Sequence, residues 1–374
     1  MTIFFVFVFG LYFLLITTLM FGLDGALTKN SIDRPDIPYS RISVIVAVKN
    51  EEANVASLIQ SIVAQNYPKN YFEVILVDDH SNDLTPRVVQ QTINGLSNFK
   101  LISTHWGDAG KKKAITRGIY EAKGELIVTT DADCIVPPNW LARINETFYY
   151  YHPKLVFGAV KVIDNGNFLS KLQVLEFSSL MACGAATWNL GIPSMCNAAN
   201  LAFYKWYFYK VGGYEDNFEI ASGDDEFLMR KILAHYGGGV VFMNYRDAIV
   251  STQPQPSIDE FINQRLRWAS KLPHNPSWPT KVLAWYVILF QSSYLLLLGL
   301  ALTNSISLEL SVILLVGKLL FELIFLKRST LFLQIKWSFT SFFALQFLYP
   351  LYVVYVGIAS NFRSYQWKGN RYKA

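Results

Sequence analysis

Charge is scarce in this sequence. Asp, Glu, Lys and Arg make up 16% of its 374 residues, against 52% hydrophobic side chains. Soluble globular chains carry nearer a quarter charged residues, so a wholly water-exposed protein is excluded and part of the chain is expected in lipid. Cysteine is scarcer still: Cys134, Cys183 and Cys196 form no even set for a disulfide framework and show no ligand-like spacing, which fits a reducing compartment. The usual glycine-rich phosphate cradles are missing, with no G-x-x-x-x-G-K-[ST] and no G-x-G-x-x-G after the first candidate strand. There is no internal repeat and no low-complexity tract. The formal net charge of +5 calls for no nucleic-acid partner, because many basic residues cluster near predicted membrane boundaries, where anionic headgroups attract them.

What is abundant is apolar sequence at both ends. Residues 2–23 carry no charge and are long enough for a membrane helix at about 1.5 Å per residue across roughly 30 Å of hydrocarbon. A cleaved signal peptide would call for a basic start, a shorter apolar run and a small-residue cleavage site. None of these is clear, and an anchor over 1–24 is favoured. Three more apolar stretches lie at 282–302, 308–326 and 337–360, within a C-terminal membrane region of 282–361. Between the ends lie a linker (25–40), a domain expected over 41–256, and a helix-bearing interfacial segment (257–281). A basic tail, 362–374, closes the chain.

Lys29, Arg34 and Arg41 follow the first span and no Lys or Arg precedes it, so the positive-inside rule places the domain in the cytoplasm, at the cell (inner) membrane. A full final crossing would export Arg363, Lys368, Arg371 and Lys373, against that rule. A break at Pro350, into a hairpin or a surface-lying piece, would keep the tail cytoplasmic. Inside the last-but-one stretch Lys318 and Glu322 lie four apart, and pairing with the lysine reaching toward the interface is the favoured reading.

Within 41–256 short β-branched runs alternate with amphipathic ones. "RISVIVAV", "FEVILVDD", "FKLIST" and "GELIVTTD" read as strands with helices between them, which predicts an α/β domain with a parallel sheet covered on both faces. Such sheets bind ligands beyond the carboxyl ends of their strands. Asp78 and Asp79 end one strand; Asp131 and Asp133 end another. If the second strand persists through "DAD", its two carboxylates share a side, because residues two apart in extended chain project together. These groups repel, and a divalent cation delivered with a diphosphate would supply the missing positive charge. Taken singly, Asp-Ala-Asp before Pro137-Pro138 reads as well as a turn, and Asp78 and Asp79 as turn or capping residues.

Several motifs in order resemble the family 2 glycosyltransferases of GT-A (Rossmann-like) nucleotide-sugar fold: "SVIVAVKNEEANV", "VILVDDHSNDLT", "AGKKKAITRGI", "DAD", "SGDDEFLMRKI" and "QRLRW". The resemblance covers nearly the whole region between the apolar ends. It implies a mixed, mostly parallel sheet, a nucleotide-sugar donor, and Mg²⁺ or Mn²⁺ as cofactor. It also implies that Ala47, Glu51 and Asp79 face the nucleoside with Lys111 nearby, that Asp131 approaches ribose or metal, and that Asp133 is the direct metal ligand. The base is expected in the pair Asp224 and Asp225, at Asp225. Gln264, Arg267 and Trp268 of Q-x-x-R-W fall on one side of a helix that opens at Ser257 with Glu260 in capping-box position. They would meet diphosphate and sugar, or else anchor the domain at the interface.

The chemistry implied is single displacement at an anomeric carbon, with inversion, onto a hydroxyl of a lipid or lipid-linked glycan acceptor, from a UDP-sugar. Processive synthesis of the cellulose, chitin or hyaluronan type is the second expectation. A non-catalytic nucleotide-binding membrane scaffold is the third. The oligomeric state is not legible. His80, His105, His152, His235 and His274 are scattered and read as structural or exposed, and Cys134 as a small buried side chain.

Overall fold

A computed structural model describes residues 1–28, 37–105, 107–220, 222–368 and 370–372; Lys29, Arg34 and Lys373 lie outside the described residues. The chain packs into two compact units. The first joins Met1–Leu27, Val162–Ser194 and Pro254–Ala374, and the second joins Thr28–Lys161 and Met195–Gln253.

Helix α1 (Thr2–Thr28) opens the first unit. The second is built by alternation: β1 (Ile42–Val48), α2 (Val55–Val63), β2 (Phe72–Asp78), α3 (Thr85–Thr92), β3 (Phe99–Ser103), α4 (Lys111–Glu121) and β4 (Leu126–Thr129). The short β5 (Cys134–Ile135), α5 (Trp140–Tyr151), β6 (Leu155–Gly158) and β7 (Val160–Val162) follow. α6 (Phe168–Asn189) belongs to the first unit. The chain returns to the second with β8 (Leu201–Tyr204), α7 (Lys205–Lys210), α8 (Asp224–Tyr236), β9 (Val240–Met243) and β10 (Val250–Thr252). α9 (Ile258–Ala269), α10 (Trp278–Leu302), α11 (Leu308–Phe332), α12 (Phe339–Ala359) and the hairpin β11 (Tyr365–Trp367) and β12 (Asn370–Tyr372) complete the first.

The main sheet runs β3-β2-β1-β4-β8-β6-β9. β1 is parallel to β2 and β4, whereas β8 is antiparallel to β4 and β6, so the sheet is mixed and mostly parallel. Its central strands are buried on both faces, as a parallel sheet requires; six of the seven residues of β1 are buried. Gly118 of α4 allows close approach, since a methyl group there would lie 2.5 Å from Ile45 Cγ2. Because β2 and β4 both flank β1 in parallel, their carboxyl ends share one edge.

In the first unit α1, α10 and α12 are long and apolar enough to cross a membrane. α11 forms where a fourth span was expected but is not among them; Lys318 and Glu322 interrupt it. Those two residues pair, Nζ to Oε2 at 2.9 Å. The lysine does not reach for the interface: it is 2% exposed, donates to Gln346 Oε1 at 2.7 Å and lies over the Tyr294 ring. The hydroxyl of Tyr12 donates to Glu322 Oε1 at 2.7 Å, and its ring stacks on Phe290. One pair of charges thus ties together α1, α10, α11 and α12. Where lipid surrounds helices, such polar contacts and close packing replace hydrophobic burial as the source of association, at about 0.6 kcal/mol per hydrogen bond on average.

Pro350 does not break the last segment. α12 runs continuously from Phe339 to Ala359 with Pro350 buried inside it. Proline removes one i to i−4 bond, a loss that helices in packed apolar surroundings tolerate. α6 packs Leu175 against Leu326, Phe342 and Leu345, and at its other end meets α1 so closely that a methyl group at Gly22 would lie 2.8 Å from the Ala186 carbonyl oxygen.

The start of the tail folds onto α9: Tyr365 is buried, with its hydroxyl 3.4 Å from Ser270 Oγ. The tail and the end of α9 therefore share one side of any membrane the unit sits in. Single cysteines at Lys271 and Lys368, in a chain whose native cysteines are replaced, should both react with an impermeant thiol reagent in vesicles of one orientation. Labelling of only one refutes the shared side.

Candidate active site

β4 ends at Thr129, not within "DAD". The hydroxyl of Thr129 donates to the Ala198 carbonyl at 2.8 Å, and the chain then leaves the sheet in a turn closed by Cys134 N to Asp131 O at 3.1 Å. Asp131 and Asp133 therefore sit on a turn beyond the strand, and alternation along extended chain does not govern where they point. Asp131 turns toward Lys111. Asp133 lies beside β10, where its Oδ2 accepts from Thr252 Oγ1 at 3.3 Å.

Lys111 is the first residue of α4, and its Nζ stands 2.8 Å from Asp131 Oδ1 and 3.0 Å from Asp224 Oδ2. The "DAD" turn and the "GDD" segment, almost a hundred positions apart, are thereby brought into contact through one ammonium group. Burial alone would favour the neutral amine of Lys111, yet the two carboxylates outweigh it and hold its pKa above the ordinary lysine value. Burial likewise pushes the Asp224 carboxyl up. Lys111, with help from Lys112, more than offsets this and leaves it below the usual carboxylate range.

The residue before Lys111 links this cluster to the second strand. Gly110, at φ +113°, a conformation that side chains rarely adopt, donates its N–H to Asp79 Oδ1 at 2.8 Å. Asp79 follows β2 directly, donates its own N–H to Val48 O, and has Lys49 Nζ 3.5 Å from its other oxygen. Lys112 is buried and spends its ammonium on the Asn217 and Ile220 carbonyls, at 2.6 and 2.9 Å, fixing the chain just ahead of "GDD".

α8 begins at Asp224 after Gly223, whose φ of +82° again suits glycine. Its first turn carries Asp224, Asp225 and Glu226, where the positive end of the helix dipole favours carboxylates. Asp224 is buried and committed to Lys111; Asp225 is partly exposed. The oxygens of Asp225 accept from Ala198 N at 3.1 Å and Glu226 N at 2.6 Å.

Ala47 is partly exposed near the carboxyl end of β1, beside Val77. Glu51 lies in the turn before α2, its N–H on Thr85 Oγ1 at 2.7 Å and its carboxylate on Asn54 Nδ2 at 2.8 Å. The second unit thus brings Asp79, Lys111, Asp131 and Asp224 into one connected set, with Asp133 and Asp225 as chain neighbours of its members. Gln264, Arg267 and Trp268 lie on α9, in the first unit; Ser257 caps that helix by accepting from Glu260 N at 3.2 Å.

Sequence reasoning missed Lys49, Lys112, Tyr214 and Thr252. Tyr214 is buried, and burial followed by the charges of Asp224 and Asp225 raises its phenol pKa. Its only signal in the sequence is its place ten residues ahead of the acidic motif.

The depressed Asp224 pKa carries a pH dependence. Its contribution to stability is complete above the unfolded carboxyl value of about 3.9 and is lost as pH falls through the lower folded value. Asp224→Asn should destabilise by about 1.5–3 kcal/mol at neutral pH and remove part of the acid sensitivity. Melting curves from pH 3 to 7 check this, an unchanged acid limb being the contrary result.

The chain matches Glycosyl transferase family 2 over residues 43–207 and Glycosyl transferase family group 2 over residues 126–358. The beta-monoglucosyldiacylglycerol synthase of Synechocystis sp. is 32% identical over 131 residues, 35% of this chain and 26% of that protein. The poly-beta-1,6-N-acetyl-D-glucosamine synthase of Staphylococcus epidermidis is 25% identical over 259 residues, 67% of this chain and 60% of that protein. The chain therefore spans less than two thirds of the length of either. Among solved structures, the mannosyltransferase PcManGT of Pyrobaculum calidifontis, in complex with GDP-Man and Mn²⁺, shares the fold: TM-score 0.61 over 96% of this chain and 99% of that one, at 19% identity.

Proposed function

The chain belongs to glycosyl transferase family 2, and from that premise we propose that it transfers a sugar, with inversion, from a nucleotide-diphosphate sugar to a hydroxyl of a lipid or lipid-linked acceptor. The observation that carries this reading is the Lys111 bridge, which gathers Asp131 and Asp224 at the carboxyl edge of the sheet. Asp225 is the base on this reading. It is the more exposed of the acidic pair, whereas Asp224 is committed to Lys111.

The carboxyl edge carries more carboxylates than ammonium groups. The segments there carry Asp78, Asp79, Asp131, Asp133, Asp224 and Asp225 against Lys49, Lys111 and Lys112, and ion pairs join Asp79 to Lys49 and Asp131 and Asp224 to Lys111. A diphosphate entering alone would add to the imbalance. The donor atoms are hard oxygens, as Mg²⁺ and Mn²⁺ prefer. Among the described residues no group of three or more His, Cys, Asp or Glu side chains is placed to hold an ion alone. Asp133, with Asp131, would hold such a dication and leave the rest of its shell to phosphate oxygens and water. When bound, it would neutralise charge on the departing diphosphate.

The residues of the chain have separate tasks. Asp79, with Ala47 and Glu51, would receive the nucleoside. Lys111 would keep the two acidic segments together and place positive charge near the phosphates. Asp225 would take the acceptor hydroxyl proton as the new oxygen–carbon bond forms and the bond to phosphate breaks, the nucleoside diphosphate leaving with the electron pair. With one displacement the configuration at the anomeric carbon inverts.

A lipid acceptor is favoured by the diacylglycerol named in the Synechocystis relative and by the three membrane-length helices, which support association with a membrane; a catalytic unit on its cytoplasmic side rests on the positive-inside rule alone. Chain polymerisation is the second reading, favoured by the Staphylococcus relative. A catalytically silent scaffold lacks a supporting observation, since Asp133, Asp225 and Gln264 to Trp268 are all present.

Purified protein in detergent, given lipid extract, Mn²⁺ or Mg²⁺ and a panel of nucleotide sugars, should release nucleotide and form one glycolipid band. A ladder of long products would replace single transfer by polymerisation, and no release with any donor would sink both. Asp225→Asn should keep donor binding within about threefold while lowering turnover by at least 10², on the order expected for a positioned base. Retained turnover would show that the base lies elsewhere.

A further inference from the structure

We infer that Arg265, which occupies an unspecified position of the Q-x-x-R-W pattern on α9, positions two of the specified members, Gln264 and Trp268. Arg265 is 6% exposed, in the unit that contains the apolar helices. Nε and a terminal nitrogen both donate to the Glu176 carboxylate of α6, Nε to Oε1 at 3.2 Å, in the two-pronged fit that arginine alone offers. Glu176 Oε1 also accepts from the Tyr352 hydroxyl of α12 at 2.7 Å. Three helices are thus clamped at one buried ion pair.

The rest of the guanidinium serves α9 itself. Its other terminal nitrogen donates to Gln264 Oε1, and the guanidinium carbon Cζ lies over the Trp268 ring, 4.3 Å from the centroid. Phe177 of α6 meets the indole from a second direction, at 6.1 Å between centroids. Phe261 covers the guanidinium too, also at 4.3 Å, and itself packs against Tyr352. Gln264 and Trp268 therefore take their orientation from a charge fixed by α6 and α12. Lysine in place of Arg265 would keep the charge and lose both the fork and the stacking plane.

The inference rests on the reading of Gln264 and Trp268 as donor-site residues, and the test separates the two. In the full-length protein in detergent, Arg265→Lys should lower kcat/KM for transfer by about 10- to 100-fold, as small misplacements of binding groups do. In a Gln264→Ala, Trp268→Phe background the same substitution should cost less than about twofold, because a residue that acts through its neighbours has no effect left when they are gone. Losses that multiply in full would assign Arg265 a purely structural role and overturn the inference. Trp268 emission, taken as the difference between the chain and its Trp268→Phe variant, is the readout independent of activity. It should shift to the red in Arg265→Lys and, should that variant not fold, in Glu176→Gln; an unchanged emission overturns the inference even if no sugar is ever transferred.

Discussion

One ammonium group sets the arrangement of the sheet-bearing unit. Lys111 can sit between Asp131 and Asp224 only because Gly110 turns the chain in a conformation few residues adopt and Asp79 holds that turn by its N–H. Removing the charge would leave a buried carboxylate at the start of α8 without its main counterion, beside a second on the turn after β4. The two acidic segments come from distant parts of the chain, and no backbone ladder joins α8 to β4. Their juxtaposition depends on this contact, on Lys112 holding the preceding carbonyls, and on Ala198 linking Thr129 to Asp225.

The same device recurs twice in the other unit, once with the signs exchanged and once with an ammonium group again at the centre. There a carboxylate, Glu176, gathers Arg265 and Tyr352, while Lys318 gathers Glu322 and Gln346. Buried ion pairs of this kind give little net stability relative to a well-packed apolar replacement, but breaking one partner is costly. What they fix is register. An apolar helix can rotate among similar partners, whereas a lysine confined among Glu322, Gln346 and the Tyr294 ring cannot follow such a rotation without losing its bonds.

The sequence discloses local periodicity and contiguous motifs well. The β-branched runs of β1 to β4 stand where alternation placed them, and the Ser257–Glu260 cap forms as the spacing required. Contacts decided by tertiary competition were not legible. β4 stops at Thr129 because its hydroxyl has a partner in Ala198 and the chain turns away, a choice absent from the apolar pattern of "GELIVTT". α6 packs with the terminal helices although it lies within the stretch read as one domain. Its face is marked by Gln173, Glu176 and small residues, and it shows neither a clean apolar stripe nor an uninterrupted apolar run. Lys318 reads as a paired, snorkelling charge and Arg265 carries no signal of its own until Gln346 and Glu176, distant in sequence, are known as their partners.

The contact between α1 and α6 changes what the first helix is for. Gly22 leaves room for the Ala186 carbonyl, and Gly25 faces Asn189 at a distance that any side chain would close. An anchor chosen for hydrophobicity alone would retain the protein at a bilayer while wedging these two helices apart. The opening segment is therefore a shaped structural part, exchangeable only for a sequence that keeps its two notches, and its glycines are as much a part of the architecture as the leucines and phenylalanines around them.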